Sequence, residues 1–368
     1  MSTVNVNRVV DASGGVLAPI SSVMRNRIIN GAMVIDQRNA SASVTANDGV
    51  FSVDRFSFAC SQTGKGTAQR NAGSVTPPVG FANYLGFTSS SAYSVGASDY
   101  FVIQQAIEGF NFYDLGFGTA QAKTVCLSFQ VYSSLNGTFG GVLKNYASTR
   151  SYPFTYSIPT ANTWTTISVT IAGDTTGTWV GASNAGAAIV AFNLGTGSTY
   201  SGTAGAWAAT NYVSATGATS VVGTNGATFY ITGVQLEVGT QATSFEYRQH
   251  TTELQLCQRY TYRHSAEGNI DSYAPLGIGR YYDTNLAQLY VPFKVTMRTS
   301  PSSVTQVGNI FVNSTSLGGS AITLNFNETS SSGATVTGTA TTGTTAGNAT
   351  TFYADNTSNA ALIFSAEL

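Results

Sequence analysis

Short runs in which apolar and polar residues alternate recur along the chain, and they limit its fold more than any other feature. Val125, Leu127, Phe129 and Val131 alternate with Cys126, Ser128 and Gln130. Ile167, Val169 and Ile171 alternate with Thr166, Ser168 and Thr170, and Phe101, Ile103 and Ile107 with Val102, Gln104 and Glu108. Phe229 and Ile231 alternate with Tyr230 and Thr232. A period of two sends one set of side chains to each face of a strand, so one face is buried and the other is wet. Gly, Ser, Asn and Asp clusters at 133–137, 173–177 and 195–198 separate the runs. Many short strands divided by turn signals predict an all-β fold, an antiparallel β-sandwich.

The pattern returns near the C-terminus at Leu289, Val291, Phe293, Val295 and Met297, and 361–366 reads as a closing strand. Between them, 328–351 is almost entirely Thr, Ser, Gly and Ala, which suits either a disordered tract or a thin β-arm. Residues 251–259 carry a capping Thr251 and good helix formers, so a short connecting helix is expected there, with a domain boundary near residue 250. At 368 residues the chain has room for two or three domains. The first 26 residues are polar and punctuated by Gly and Pro, and cannot bury a core alone.

Charged residues are only 9% of the chain, against about 25% in an ordinary soluble domain. Ser, Thr, Asn and Gly replace them, a polar uncharged surface of extracellular type. With 16 basic and 17 acidic residues the net charge is −1, and the basic residues are scattered, which argues against nucleic-acid binding. Arg25, Arg27 and Arg38 are the one local concentration, and anchoring of loops explains them. The three cysteines, Cys60, Cys126 and Cys257, are too few and too far apart for a disulfide framework or a zinc pattern, and read as packing residues. No signal peptide is expected from residues 1–20, and no run reaches the roughly 18 apolar residues of a membrane span. Assembly inside a cell followed by release on lysis reconciles this with the extracellular composition.

Catalytic motifs are missing. His250 and His264 stand in no ligand spacing, and there is no G-x-S-x-G elbow, Walker loop or dinucleotide fingerprint. Acid pairs for glycoside hydrolysis would have to come from Glu108 with Asp114, or Asp99 with Asp174, and turn Asp residues more often brace their own backbone. No catalytic residue, cofactor or metal is assigned. Aromatic residues are the richer signal, with 19 Tyr, 20 Phe and 3 Trp. Sugar C–H faces stack on flat rings while amides and hydroxyls bind their oxygens. Tyr84, Tyr93, Tyr100, Trp179, Tyr200, Trp207 and Tyr212 are therefore the candidate ligand-binding residues. Trp164 reads as core, and packing competes with ligand stacking at Trp179 and Trp207.

Two segments carry a family resemblance. One is Asn26-Arg27-Ile28-Ile29-Asn30-Gly31-Ala32-Met33 followed by Asp36-Gln37-Arg38-Asn39. The other is Ile231-Thr232-Gly233-Val234-Gln235-Leu236-Glu237 with Thr243-Ser244-Phe245-Glu246-Tyr247-Arg248, running into Leu256-Cys257-Gln258-Arg259-Tyr260. They resemble the carbohydrate-binding-module-like jelly roll of bacteriophage tail fibres and other virion fibres, and the ending from Phe352 to Leu368 resembles their terminal β-domain. The resemblance implies an N-terminal virion-anchoring arm (1–26), a jelly-roll domain (27–250) and a smaller C-terminal β-sandwich (251–368). It also implies a non-enzymatic homotrimer, synthesised in the host cytoplasm, that binds host-surface glycan and inserts into no membrane. The arm would join phage tail or capsid proteins through Val4, Val6, Val9, Val10, Val16, Leu17 and Ile20. A tail fibre ranks first, a head fibre or decoration protein second, and a glycan depolymerase last.

Overall fold

The alternating runs form strands, and the strands build two units, each around its own core. The computed structural model describes residues 9–10, 16–17, 24–265, 273–312, 322–339 and 345–368. Of these, the first unit takes the residues up to Val34 with Ser41–Ser52 and Phe56–Gln249. The second takes Ile35–Ala40, Val53–Arg55 and the residues from His250 to Leu368.

Near the start, β1 (Val9–Val10) pairs with β2 (Val16–Leu17). Of the proposed anchoring residues, Val9, Val10, Val16 and Leu17 are described as this backbone pairing alone, and Val4, Val6 and Ile20 lie outside the described residues. The chain continues through β3 (Val44–Thr45), β4 (Phe51–Val53), β5 (Phe56–Cys60), β6 (Gly66–Arg70), β7 (Leu85–Ser89) and β8 (Tyr100–Glu108). Next come β9 (Val125–Ser133), β10 (Gly137–Asn145), β11 (Ser151–Ile158), β12 (Thr165–Ile171) and β13 (Gly186–Thr196). Two short strands, β14 (Ser201–Gly202) and β15 (Ser214–Ala215), precede β16 (Thr228–Val238).

These strands make two six-stranded sheets, ordered β11-β10-β13-β8-β5-β4 and β12-β9-β16-β7-β6-β3. Pairings among β5, β8, β10, β11 and β13, and throughout the second sheet, are antiparallel. The chain changes sheet after β3, β5, β7, β8, β9, β11, β12 and β13, which is jelly-roll connectivity. The inward rings of the two sheets meet. Phe129 on β9 lies 5.0 Å from both Phe192 on β13 and Tyr156 on β11, and Phe139 on β10 lies 6.1 Å from Phe229 on β16. Each such ring, taken fully out of water, contributes about 1.5–3 kcal/mol.

The two segments that carried the resemblance meet along β16. Asn26 donates its amide to the Val234 carbonyl (3.0 Å) and accepts the Ile28 and Leu236 amides, while the Arg27 amide bonds Leu236 (2.8 Å). Glu246 accepts the amides of Met24, Arg25 and Asn26, and Arg248 binds the carbonyls of Asn26 and Ile28. At Gly31 a Cβ would fall 2.1 Å from the Val234 oxygen, so only glycine fits this close approach. The segments share a signature because they form one backbone clamp.

The second unit begins with α1 (His250–Gln258) and continues through β17 (Thr261–Ser265), β18 (Pro275–Tyr281), β19 (Leu286–Pro292), β20 (Ser303–Val307) and β21 (Ile310–Val312). It ends with β22 (Ile322–Thr329), β23 (Gly333–Thr339), β24 (Ala349–Ala354) and β25 (Ala361–Ser365). A three-stranded sheet, β17-β25-β20, and a six-stranded sheet, β21-β24-β18-β19-β23-β22, share one core that includes Tyr262, Val291, Val336, Phe352 and Phe364. This is the smaller β-sandwich. Within the Thr/Ser/Gly/Ala tract, β23 pairs with β19 from Thr339 opposite Leu286 to Gly333 opposite Pro292, and 340–344 lie outside the described residues.

Four charged residues meet inside the second unit. Arg55 pairs with Glu367 and lies over the Tyr260 ring, 3.5 Å from its centroid. Arg38 reaches Glu367 at 3.1 Å, and Asp54 accepts both the backbone amide and the side-chain amide of Gln37. The three cysteines are buried and free. Among the described residues, no helix is long and apolar enough to cross a membrane.

Candidate binding groove

The outer face of the first sheet is covered in part by the chain between β13 and β15, which buries Val102, Val142, Ile189 and Ala191 against Val213 and leaves a groove at their edge. On β8 the inward set is Phe101, Ile103 and Ile107, so Tyr100, Val102 and Gln104 turn outward together. Register then extends this face across four strands. Gln104 stands opposite Ala191 of β13 and Ser57 of β5, and Val102 opposite Ala59. Val142 of β10 stands opposite Ala191, and Lys144 opposite Ile189. The resulting floor is mostly small or apolar, and Val102, Val142, Ile189 and Ala191 within it are buried.

The chain between β13 and β15 makes the wall. It passes Tyr200 and returns at Val213, whose amide bonds the Tyr200 carbonyl at 2.8 Å, while β14 and β15 pair in parallel. At Gly202 a Cβ would fall 2.3 Å from the Tyr212 ring, so the absent side chain lets that ring lie flat against the backbone. The Tyr100 and Tyr200 rings pack edge to face, 5.1 Å apart. The space enclosed is about 250 Å³, lined by Ala59, Val102, Gln104 and Ile189 below and by Tyr100, Tyr200, Lys144, Ser148, Asn211 and Val213 at the sides. The Lys144 ammonium donates to Ser148 Oγ (3.1 Å) and Asn211 Oδ1 (3.0 Å), and burial pushes its pKa down to about 8.

Of the seven rings singled out from sequence, the groove brings together Tyr100 and Tyr200, and Tyr212 supports its wall. Tyr84 is fully buried in a cluster on the outer side of the second sheet, stacked 5.0 Å from Tyr230, with its hydroxyl bonded to the Ala72 carbonyl and the Val75 amide. Tyr93 donates its hydroxyl to Asp99 (2.8 Å) under the Lys65 ammonium. Trp179 and Trp207 stand 5.6 Å apart in a cluster with Phe117, their ring N–H groups donating to Asp174 and to the Ala172 carbonyl. Trp164 packs edge-on against Tyr84 and donates to Thr76, on the outer side of the second sheet. Gln104, Lys144, Ser148 and Asn211 were not singled out by sequence reasoning. The signal for Gln104 was there, since alternation alone places it beside Tyr100 and Val102.

The acids named as possible hydrolytic pairs are held in other work. Asp99 is buried, which disfavours its charge, but bonds from Gly96, Ser61 and Tyr93 outweigh that and hold its carboxyl below the usual range. Asp174 is in the same position, gripped by both Arg150 nitrogens at 2.7 Å. Asp114 pairs with Arg27 at 2.8 Å, and Glu108 is fully buried. His264 bonds the Leu276 carbonyl at 2.7 Å and is pushed below its ordinary pKa by burial. Among the described residues, no three His, Cys, Asp or Glu side chains gather as a metal site.

No family model matches the chain, and no curated protein does. Solved structures similar to part of it include a family 11 carbohydrate-binding module from Clostridium thermocellum in complex with a β-1,3-1,4-mixed-linked tetrasaccharide. The identity there is 10% over 56% of this chain and 100% of that one, with a TM-score of 0.27. The N-terminal cellulose-binding domain of Cellulomonas fimi β-1,4-glucanase C is 13% identical over 43% of this chain and 80% of that one, with a TM-score of 0.21. A tandem of family 22 modules from Paenibacillus barcinonensis Xyn10C is 10% identical over 89% of this chain and 91% of that one, with a TM-score of 0.25. At such scores the likeness does not extend to a ligand, and the sandwich described above rests on the chain's own strand pairings.

Proposed function

We infer that the chain recognises glycan through the groove on the first sheet of its first unit, without catalysis. The observation that carries this is the combination of surfaces within it. The half-buried Tyr100 and Tyr200 rings, with Ala59 beside them over the buried Val102 and Ile189, suit the C–H face of a sugar. Gln104, Ser148 and Asn211 offer amide and hydroxyl groups to sugar oxygens. Engagement of Asp99, Asp114 and Asp174 in structural bonds supports the non-catalytic part. A glycan array probed with the purified chain tests the reading. Selective binding that drops in Tyr100→Ala and Tyr200→Ala supports it; binding unchanged in both variants refutes the groove as the site.

The finer reading is a bacteriophage tail-fibre subunit, trimeric and joined to the particle by its leading arm. It is supported by the sequence resemblance and by the charge-poor composition. Trimerisation would turn weak single-sugar contacts into avid ones through effective concentration. Sedimentation gives the oligomeric state, and electron microscopy of a particle carrying a labelled chain separates tail from head. A monomer that releases reducing ends from host polysaccharide would overturn this assignment.

A further inference from the structure

We propose that the groove selects an anionic sugar, whose carboxylate or sulfate is met by the Lys144 ammonium. This deepens the glycan reading above and rests on it. Among the described residues the buried cations are Arg55 and Lys144, exposed by 3% and 6%. Arg55 has Glu367 as its ion-pair partner. Lys144 has two neutral partners, Ser148 and Asn211, and makes no ion pair among the described residues. An ammonium has three N–H donors, so one donor and the whole unit of charge are left over.

An uncompensated buried charge is expensive, and a neutral side chain of similar length would fill the same space without that penalty. The charge is therefore accounted for by something that enters from outside. Lys144 lines the groove at the end of the apolar floor, opposite Ile189 in register, and the groove is where its free donor is reached. Depression of its pKa has burial as the sole cause, consistent with no carboxylate acting on it. Asp48 acts on Tyr100 and Cys60 but not on Lys144. An incoming acid sugar would lie with its ring against Tyr100 and Tyr200, its hydroxyls on Gln104 and its acid group on Lys144. A carboxylate and a sulfate share this chemistry, and the experiment separates them.

The test uses the full chain in affinity electrophoresis through dextran, polygalacturonate, alginate, hyaluronate and dextran sulfate at pH 7. The expected result is retardation by at least one anionic polymer, at least tenfold stronger than by dextran. Retardation by a uronate polymer assigns the carboxylate; retardation by dextran sulfate alone assigns the sulfate. Lys144→Met removes the preference and Lys144→Arg keeps it. Asn211→Asp supplies an internal carboxylate and also removes it, with thermal melting confirming that each variant folds. A preference for dextran, or an anionic preference that survives in Lys144→Met, overturns the inference and leaves the glycan reading intact. Indifference to every polymer, with no hit on the wider glycan array, overturns both.

Discussion

The two units treat buried charge in opposite ways. In the second, Arg38, Arg55, Asp54 and Glu367 lie together, each cation within reach of a carboxylate, and Gln37 donates to both Asp54 oxygens. In the first, Lys144 is taken out of water with an amide and a hydroxyl for company. Even at the surface the contrast holds. A hollow of about 350 Å³ on the second unit is lined by Arg280 and Glu328, one of each sign, whereas the groove on the first is lined by a cation alone. In a chain with so few charges, a closed set of opposite charges marks structure and an open one marks a place for a ligand.

The comparison is broken most directly at Glu367. Glu367→Gln removes the acid that pairs with both the buried Arg55 and Arg38, which costs about 3–5 kcal/mol. Denaturant unfolding should show the second unit melting early. If Glu367→Gln and Lys144→Met shifted stability in the same direction, the contrast between closed and open sets would fail.

Lys144→Met should move the other way, stabilising the first unit by up to about 3 kcal/mol at pH 7, since the full distance from its ordinary pKa to about 8 is a folding penalty. The pH dependence follows from the same fact. Below pH 8 the ammonium is charged in both states and the penalty is complete. Between about pH 8 and the ordinary lysine value of 10.5, the unfolded chain binds more protons than the folded one, so stability rises with pH. A melting series across that window should climb for the native chain and stay flatter for Lys144→Met.

Much of this was legible in the residues, and what was not has a physical reason. Alternation fixed which side of β8 would face the core, and therefore that Tyr100, Val102 and Gln104 would share the other side. Lys144 carries no such mark. At the end of β10, beside Asn145, it reads as a solvent-facing lysine, and only the chain running from Tyr200 to Val213 encloses it. Trp179 and Trp207 sit among glycines and so look exposed, yet the rings find each other across a gap in sequence no local pattern spans. The early arginines read as one basic concentration, but each has its own distant acid: Arg25 has Glu237, Arg27 has Asp114 and Arg38 has Glu367.

Asp174 sharpens the comparison within the first unit, because it is buried there as a closed pair. Asp174→Asn weakens both bonds from Arg150 and the one from Trp179, a loss of about 2 kcal/mol. Its folded pKa is lowered, so the stability it contributes is present above the ordinary carboxylate value and disappears as pH falls through the lowered one. An acid melting series should show the native chain losing stability that Asp174→Asn never had.

The smallest effect should come from Tyr200. Its ring is only partly buried where it packs against Tyr100 and the cluster of Val102, Ile189 and Val213. Tyr200→Ala should therefore leave the melting temperature nearly unchanged while weakening glycan binding about fivefold to tenfold, the scale of one stacking contact. Tyr84→Ala is the matched control, since that ring is enclosed by Tyr230 and Trp164 and its hydroxyl holds the Ala72 and Val75 backbone. Its loss should lower stability and leave binding by the folded fraction intact. Calorimetric titration beside thermal melting separates the two. If Tyr200→Ala destabilised the fold as Tyr84→Ala does, the ring would be wall packing, and recognition would fall to the polar end of the groove around Lys144.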